Sequence, residues 1–187
     1  MSKEMLNDEI TEIVYFAKLK GDAIIPSKNE EDAGYDIYSN FEEDYMEVLP
    51  HTTVMIPTEI SSAFSDKFVM VLKERGSTGT KGIAQRCGII DSGFRGDWKI
   101  PITNSTDKTI VILKKGKEYV GSTITTYISH SIGCTEVPNY IVYPYEKAIC
   151  QALLLPVPKV SIKEITYEEL KGIASKRGTG MLGSSNK

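Results

Sequence analysis

The chain has 187 residues, 41% of them hydrophobic and 25% charged, which suits one compact domain. Its formal net charge of −3 argues against a protein that grips a nucleic-acid backbone, because such proteins normally carry a basic surface. No stretch approaches the roughly 18 apolar residues that a membrane span requires, so a soluble protein with neither a nucleic-acid nor a membrane partner is expected.

Residues 1–20 are acidic and lack the apolar core of an export signal, so the chain is predicted not to be exported. Three cysteines, Cys87, Cys134 and Cys150, are odd in number and widely spaced, which favours neither a disulfide framework nor a zinc site. A reducing cytoplasm is the expected compartment. Cys87 and Cys150 are predicted to be buried rather than reactive.

Short runs of β-branched and aromatic residues recur along the chain between clusters of Gly, Pro, Asn, Asp and Ser. This pattern predicts an all-β fold of the sandwich, jelly-roll or barrel type. The predicted strands lie in the segments EIVYFAKL, GYDIYS, HTTVMIPTEI, KFVMVLKE, WKIPIT, TIVIL, STITTYI, NYIVYPY and ICQALLLPV.

Helical signals are scarce. Thr166 to Glu169 form a capping-box pattern, which predicts a short helix through about Ser175. From Lys176 onward the sequence KRGTGMLGSSNK is rich in Gly and Ser and has almost nothing to bury. We therefore predict one β domain over residues 1–175 and a flexible C-terminal arm over 176–187.

Three stretches between the strands suit phosphate chemistry. Residues 32–39, DAGYDIYS, offer two carboxylates that can hold a metal directly or through water. Residues 74–82, ERGSTGTKG, combine glycines, which let N–H groups approach phosphate oxygens, with hydroxyl and cationic donors. In residues 88–98, Asp91 follows an apolar pair, where its carboxylate can orient a water. Taken singly, each stretch is more often an ordinary polar turn.

Together and in order, these stretches resemble the trimeric dUTPase family. Its five motifs are matched by DAGYDIYS (32–39), ERGSTGTKG (74–82), GIIDSGFRG (88–96), EKAICQALLLP (146–156) and RGTGMLGSS (177–185). The resemblance spans nearly the whole chain and implies a dUTPase-like distorted jelly roll. It also implies a dUTP diphosphatase that hydrolyses dUTP to dUMP and pyrophosphate, limiting uracil in DNA and supplying dUMP for dTMP synthesis.

The resemblance further implies catalytic roles for Asp91, Asp36, Arg75 and Gln151. Asp91 would activate the water that attacks the α-phosphorus in line with the leaving pyrophosphate, since such catalysis depends on positioning and electrostatic stabilisation. Asp36 would bind Mg²⁺ through the water shell of the ion, which takes its other ligands mainly from the triphosphate. Contacts to the phosphates would come from Arg75, Ser77, Thr78, Gly79 and Gln151.

Base choice is expected from the hairpin between Gly82 and Gly88, whose main chain would read the edge of uracil, assisted by the side chain of Gln85. Phe94 would lie against the deoxyribose, where a 2′-hydroxyl would clash. The remaining substrate contacts that the resemblance implies are Gly88 and Ile90 in motif three and Arg177, Leu182, Gly183 and Ser184 in the arm, which would close over the γ-phosphate and the base.

Several positions depart from the usual motifs. Gly76 precedes Ser77 where the family normally has Ser directly after the arginine, so the hydroxyl that meets the phosphates is not fixed by the sequence. Phe94 replaces Tyr. Met181 and Leu182 replace Gly-Phe, which removes an aromatic contribution of about 0.5–1.5 kcal/mol over the base. Weaker substrate affinity is therefore expected rather than lost chemistry.

An additional segment lies between motifs three and four. Residues 114–140 read as added strands with a polar face and resemble the inserts of some bacteriophage dUTPases. Such inserts bind partner proteins, which makes a regulatory partner such as a repressor one interpretation and a structural elaboration of the trimer surface the other. A phage source would place the protein in the host cytoplasm. His130 and Cys134 have no ligand pattern around them.

The resemblance also implies a homotrimer in which motifs one, two and four come from one subunit, motif three from a second and the arm from a third. Two alternatives remain beside the enzyme. One is a binding module that acts through the insert. The other is a related dCTP deaminase, which typically has a proton-shuttling Glu five residues after the motif-three glycine. Counting from Gly96 leads to Pro101, which cannot transfer a proton.

Overall fold

The computed structural model describes residues 12–119, 135–137, 139–175 and 178. These residues are mostly in β-strands with two short helices, which confirms the predicted all-β class. The elements are β1 (Tyr15–Lys18), β2 (Gly34–Ile37), β3 (Tyr45–Val48), β4 (Thr53–Ile56), β5 (Ile60–Ala63), β6 (Phe68–Lys73), α1 (Gly76–Gly79), β7 (Ile83–Gln85), β8 (Ile89–Ile90), β9 (Ile100–Asn104), β10 (Thr109–Leu113), β11 (Thr135–Val137), β12 (Tyr140–Pro144), β13 (Cys150–Pro156) and α2 (Tyr167–Gly172).

The described strands form four sheets. Two of them have four strands, in the orders β11-β12-β10-β3 and β2-β13-β6-β8. A three-stranded sheet has the order β4-β9-β7, and β1 pairs with β5. The sheets enclose a main hydrophobic core in which Trp98 and Tyr143 are the largest fully buried side chains.

The apolar run of β10 is buried on both faces of its sheet. Ile110 and Ile112 belong to the main core, whereas Val111 and Leu113 belong to a second, smaller cluster. Because alternate residues of a strand point to opposite faces, a strand between two apolar clusters has to be apolar throughout. β12 repeats this alternation. The uninterrupted runs TIVIL and YIVYP follow from this two-sided burial.

β10 and β12 run parallel, with Thr109 opposite Tyr140 and Leu113 opposite Pro144. Parallel neighbours cannot be joined by a tight hairpin and need a long crossover connection. Residues 114–139 provide that connection, and β11 pairs antiparallel with β12 at its end. Residues 120–134 and 138, the middle of the predicted insert with His130 and Cys134, lie outside the described part of the chain.

Tyr119 fixes the beginning of this connection to the sheet. Its ring makes edge-to-face contacts with Tyr45 and Tyr140, with centroids 4.9 and 5.2 Å apart. Its hydroxyl donates a hydrogen bond to the carboxylate of Glu47. Burial, together with the Glu47 charge, raises the pKa of the Tyr119 hydroxyl, so it stays protonated and remains a donor.

The predicted strand in HTTVMIPTEI contains β4 and ends at Ile60, where a second strand, β5, begins. Pro57 has no N–H to continue the ladder, and Glu59 adopts a positive φ of 55°, which turns the chain between sheets. The predicted segments do not include β3, β7, β8 or most of β5, which are short and carry no strong apolar alternation. β11 lies in residues 114–140, where added strands were predicted.

The chain divides into two compact units, residues 1–157 and 158–187, and the flexible arm from residue 176 stays a prediction. In the second unit the capping box is confirmed: Thr166 Oγ1 accepts a hydrogen bond from Glu169 N–H, and the Glu169 carboxylate accepts one from Thr166 N–H at 2.7 Å. The helix α2 ends at Gly172 rather than near Ser175. Among the described residues, no helix is long and apolar enough to cross a membrane.

The two described cysteines differ. Cys150 is fully buried in β13, as predicted, and burial raises the pKa of its thiol well above the ordinary value. The prediction that Cys87 is buried is wrong, because its side chain is exposed. Cys87 has a φ of 55° and sits at a sharp turn between β7 and β8, which directs its side chain outward although apolar residues flank the turn.

Candidate active site

The register of β13 brings three predicted motifs together. Gln151 pairs with Asp36 of β2 on one side and with Lys73 of β6 on the other. Lys73 ends β6, so Arg75 follows at the same edge of the sheet. Antiparallel pairing therefore places motifs one, two and four, which are far apart in the sequence, around one point.

A hollow of about 510 Å³ opens at this point, and we name it the Arg75 hollow. It holds four of the predicted site residues, Asp36, Arg75, Ser77 and Gln151. Asp32 and Gly34 also line it and were not predicted as contacts. A signal for Asp32 was present, since the sequence places two carboxylates in motif one.

Arg75 and Asp36 form a two-pronged ion pair in the Arg75 hollow. Arg75 Nε lies 2.9 Å from Asp36 Oδ1, and Arg75 Nη2 donates to Asp36 Oδ2 at 3.2 Å. Arg75 Nη1 donates to the carbonyl of Ala148 at 3.4 Å. Both charged side chains remain about one-third exposed, so the pair is accessible from the hollow. The planar guanidinium is thereby held in a fixed orientation, which suits forked contacts to phosphate.

Gln151 is positioned from two sides. Its Nε2 donates to the carbonyl of Glu74 at 2.8 Å, and its side chain occupies the space beside Gly34, where a Cβ would lie 2.4 Å from Gln151 Oε1. The glycine of motif one therefore leaves room for the close approach of Gln151 across the strand pair β2–β13, and an added Cβ would displace the Gln151 amide.

Motif two is a single helical turn rather than an open loop. Arg75 N–H donates to Thr78 Oγ1, and the Thr78 hydroxyl donates to the carbonyl of Arg75, both at 3.0 Å. Thr78 is fully buried and does not line the Arg75 hollow: its hydroxyl holds the turn together, and the predicted substrate contact at Thr78 stays a prediction. Gly79 does not line the hollow either. Ser77 is exposed and lines it, so the Ser77 hydroxyl is accessible from the hollow.

The predicted hairpin between Gly82 and Gly88 is not a hairpin. β7 pairs with β9, whereas β8 pairs with β6 in a different sheet. Cys87 and Gly88 take positive φ values of 55° and 119° and carry the chain from one sheet to the other. We call residues 82–88 the crossing segment. Gln85 is buried there, and its amide donates to the carbonyl of Arg86, so Gln85 lines neither this hollow nor the next one.

A second hollow, of about 350 Å³, lies around Asp91, and we name it the Asp91 hollow. Ile90 and Phe94 line it, as does the exposed carboxylate of Asp91, for which the described residues provide no side-chain hydrogen-bond partner. Phe94 is 43% exposed. The rest of the lining was not predicted and consists of Met55, Ile89, Asp97 and Lys99.

The two hollows share no lining residue, and the sheet register explains why. Ile90 pairs with Met70, so Asp91 follows at the Phe68 end of β6, whereas Arg75 follows the Lys73 end. Asp91 is level with Val69, and the four residue steps from Val69 to Lys73 are a rise of roughly 13 Å. Asp91 and Arg75 of one chain therefore lie toward opposite ends of β6.

The predicted arm contacts Arg177, Leu182, Gly183 and Ser184 lie outside the described residues.

The Arg75 hollow fits a hydrated Mg²⁺. Asp32 and Asp36 supply carboxylate oxygens, which are hard ligands that Mg²⁺ prefers. Within the described ranges, no three His, Cys, Asp or Glu side chains gather into a metal cage. An ion that takes most of its ligands from a triphosphate and from water needs no such cage.

Comparison with known proteins points to one family. A dUTPase family model matches residues 21–118, more than half of the chain. The deoxyuridine 5'-triphosphate nucleotidohydrolase of Candida albicans is 26% identical over 189 residues, covering 100% of this chain and 95% of that protein. The Pol polyprotein of Caprine arthritis encephalitis virus is 30% identical over 115 residues, 60% of this chain, but this chain spans 10% of that polyprotein's length.

Solved structures agree on the fold. The Staphylococcus bacteriophage 80alpha dUTPase with dUPNHPP, described as controlling transfer of virulence genes, has a TM-score of 0.66 at 22% identity, covering 94% of this chain and 99% of that one. The dUTPase of S. aureus phage phi11, described with a species-specific insert, has a TM-score of 0.61 at 21% identity, with coverages of 82% and 96%. A phi11 mutant that coordinates a structural Mg(II) ion has a TM-score of 0.60 at 21% identity, with coverages of 83% and 99%.

The family match, the five ordered motifs and the shared fold lead to the same conclusion: this chain belongs to the dUTPase family.

Proposed function

We propose that this protein hydrolyses dUTP to dUMP and pyrophosphate with Mg²⁺, as a homotrimer. The observation that carries the proposal is the Arg75 hollow, where an ion-paired arginine, the Ser77 hydroxyl and the Gln151 amide converge beside Asp36. These are donors for phosphate oxygens next to a carboxylate for a hydrated cation. Family membership and the dUTP analogue bound by the 80alpha enzyme support the choice of substrate.

The chemistry divides between the two hollows. Arg75, Ser77 and Gln151 hold the α- and β-phosphates, and Asp36 would hold a hydrated Mg²⁺ through its water ligands. The bound ion would neutralise the charge that develops on the leaving pyrophosphate. Asp91 orients a water and takes its proton as the water oxygen bonds to the α-phosphorus. The bond from the α-phosphorus to the bridging oxygen breaks, and pyrophosphate leaves with that oxygen.

Assembly of copies is part of the proposal. Asp91 and Arg75 lie toward opposite ends of β6. The two side chains of one chain therefore do not reach the same phosphorus atom. A trimer in which the Asp91 hollow of one subunit faces the Arg75 hollow of the next would complete the site. Phe94 then lies against the deoxyribose, and the arm of a third subunit, with Arg177 and Leu182 to Ser184, closes over the γ-phosphate and the base.

The direct test is pyrophosphate release from dUTP, dCTP, dTTP and UTP, each with and without Mg²⁺. We expect Mg²⁺-dependent release from dUTP and at least 10²-fold less from the other three. Low release from dCTP would test discrimination between uracil and cytosine. Low release from UTP would test discrimination against the 2′-hydroxyl by the proposed contact of Phe94 with the deoxyribose. Equal release from all four would exclude the proposed selectivity, and no release from any would exclude the enzyme.

We also propose that the connection between β10 and β12 presents a surface for a protein partner. The observation in favour is that both of its ends are fastened. Lys114 N–H donates to the carbonyl of Asp44, Lys117 pairs with Asp44 at 2.9 Å, and Tyr119 packs in the second cluster. At the other end β11 pairs with β12. None of these fastening residues lines either hollow. The 80alpha enzyme, described as controlling gene transfer, is a precedent for a second role.

Excision of residues 120–134, joined by a short turn, is expected to leave kcat for dUTP within about twofold, because the fastened ends and both hollows remain. Excision of 115–140 also removes Tyr119 and β11 and should lower Tm by several degrees. Both variants are measured by pyrophosphate release, thermal unfolding and light scattering. Loss of the trimer in the shorter excision would make the segment part of the core architecture rather than a partner surface.

A further inference from the structure

Glu74 lies between β6 and Arg75 and has no role in the proposed mechanism. It follows the last residue of β6 and precedes Arg75 of the Arg75 hollow. Its main-chain carbonyl accepts the amide of Gln151 at 2.8 Å, and its carboxylate reaches the crossing segment. One residue therefore touches both the phosphate contacts and the segment expected to read the base.

The contact with the crossing segment satisfies an otherwise unpaired donor. Arg86 N–H donates to the carbonyl of Pro101 in β9 at 2.8 Å. Neighbouring residues of a strand direct their N–H groups to opposite sides, so Gln85 N–H points away from β9. β7 is the last strand of its sheet within the described chain, and no strand lies on that side. Glu74 Oε1 accepts this N–H at 3.1 Å.

This hydrogen bond fixes the crossing segment at its middle. Gln85 is only 9% exposed, and a buried N–H without a partner is costly. The end of the segment is held separately, since Leu72 N–H donates to the carbonyl of Gly88 at 2.7 Å. Glu74 thus provides the side-chain link between β6 and the centre of the segment. Its carboxylate is 31% exposed, and Lys73 Nζ lies 3.7 Å from the other oxygen.

We infer that Glu74 is a positioning residue for base selectivity: its carboxylate holds the Gln85 peptide in the register that distinguishes uracil from cytosine. The inference rests on the proposed dUTP hydrolysis. Side-chain changes at Glu74 leave its carbonyl, and hence the Gln151 contact, in place. They also leave Arg75, Asp36 and Asp91 unchanged. The effect should therefore fall on the choice between bases rather than on turnover.

The experiment compares Glu74→Ala with Glu74→Gln, which keeps an acceptor oxygen at the same reach. We expect Glu74→Ala to lower the ratio of kcat/KM for dUTP over dCTP about tenfold while kcat for dUTP stays within about threefold. Glu74→Gln should keep the ratio. Lys73→Ala, which removes the neighbouring charge but not the acceptor, is the matched control and should behave as wild type.

Hydrogen–deuterium exchange gives a second readout without nucleotide. The peptide containing Gln85 should exchange faster in Glu74→Ala than in wild type, and at the wild-type rate in Glu74→Gln and Lys73→Ala. If the wild type hydrolyses dUTP selectively but Glu74→Ala keeps the same ratio of kcat/KM for dUTP over dCTP, the inference is overturned and the proposed function stands. Slower exchange or a higher ratio in Glu74→Ala would overturn it as well. A wild type without dUTP hydrolysis would instead refute the proposed function, whatever the exchange data show.

Discussion

Replacing Asp91 with asparagine is expected to lower kcat for dUTP about 10²–10⁴-fold, the usual contribution of a positioned general base. Asparagine keeps the size of the side chain but cannot take the proton of the attacking water. Asp91 is exposed in the Asp91 hollow, and its carboxylate has no hydrogen-bond partner among the described side chains and main chain. Its replacement therefore breaks no structural contact that would confuse the result.

The measurement is pyrophosphate release under saturating dUTP and Mg²⁺, with light scattering to verify the assembly state. Asp107→Asn is a suitable control, since it makes the same change at an exposed carboxylate outside both hollows. A KM near the wild-type value with a reduced kcat would fit a residue that acts in the chemical step. Turnover within a few-fold of wild type in Asp91→Asn would remove this residue from the mechanism.

Gly34→Ala is expected to lower kcat/KM for dUTP about 10–10²-fold by displacing Gln151. The added Cβ would lie 2.4 Å from Gln151 Oε1 and 3.1 Å from Gln151 Cβ. The side-chain amide can swing aside, but Gln151 Cβ is fixed to β13, so the amide has to leave its hydrogen bond to the Glu74 carbonyl. Misplacement of a catalytic contact by about 1 Å can cost 10²-fold in rate.

A double-mutant cycle tests this route. If Gly34→Ala acts through Gln151, adding it to Gln151→Ala should reduce kcat/KM little further, because no amide is left to displace. Gly21→Ala is the matched control, since a Cβ there meets no atom within 4 Å. If the effects of the two substitutions on kcat/KM are fully additive, Gly34→Ala does not act through Gln151. It would then act through the pairing of β2 with β13.

Local features of the site were predictable from the sequence. Asp36, Arg75, Ser77 and Gln151, nominated from three separate motifs, line one hollow, and Asp91 lines another. A motif fixes the residue types at a short spacing, and that is enough to nominate side chains. It does not say which hydroxyl is buried. The hydroxyl of Thr78 is buried and holds the turn at Arg75. This turn is a single turn of helix, which the Gly-rich sequence does not indicate.

The path of the crossing segment between two sheets was not predictable from its own residues. The family resemblance implied a hairpin there, between Gly82 and Gly88. In the structure the positive φ values of Cys87 and Gly88 send the chain to a second sheet, so Gln85 meets Glu74. Strand partners are chosen by burial over the whole sheet, and a window of seven residues does not contain that information.

By itself the sequence determined the all-β class, the capping box at Thr166, and the family and its candidate residues, because these depend on residue type and on spacing within short segments. Only the tertiary structure decided the register that sets Gln151 between Asp36 and Lys73, the close approach of Gln151 to Gly34, and the placement of Asp91 toward the opposite end of β6 from Arg75. The physical reason is that register and close approach arise from contacts between distant segments, whose free energy depends on how both faces of each sheet are buried together.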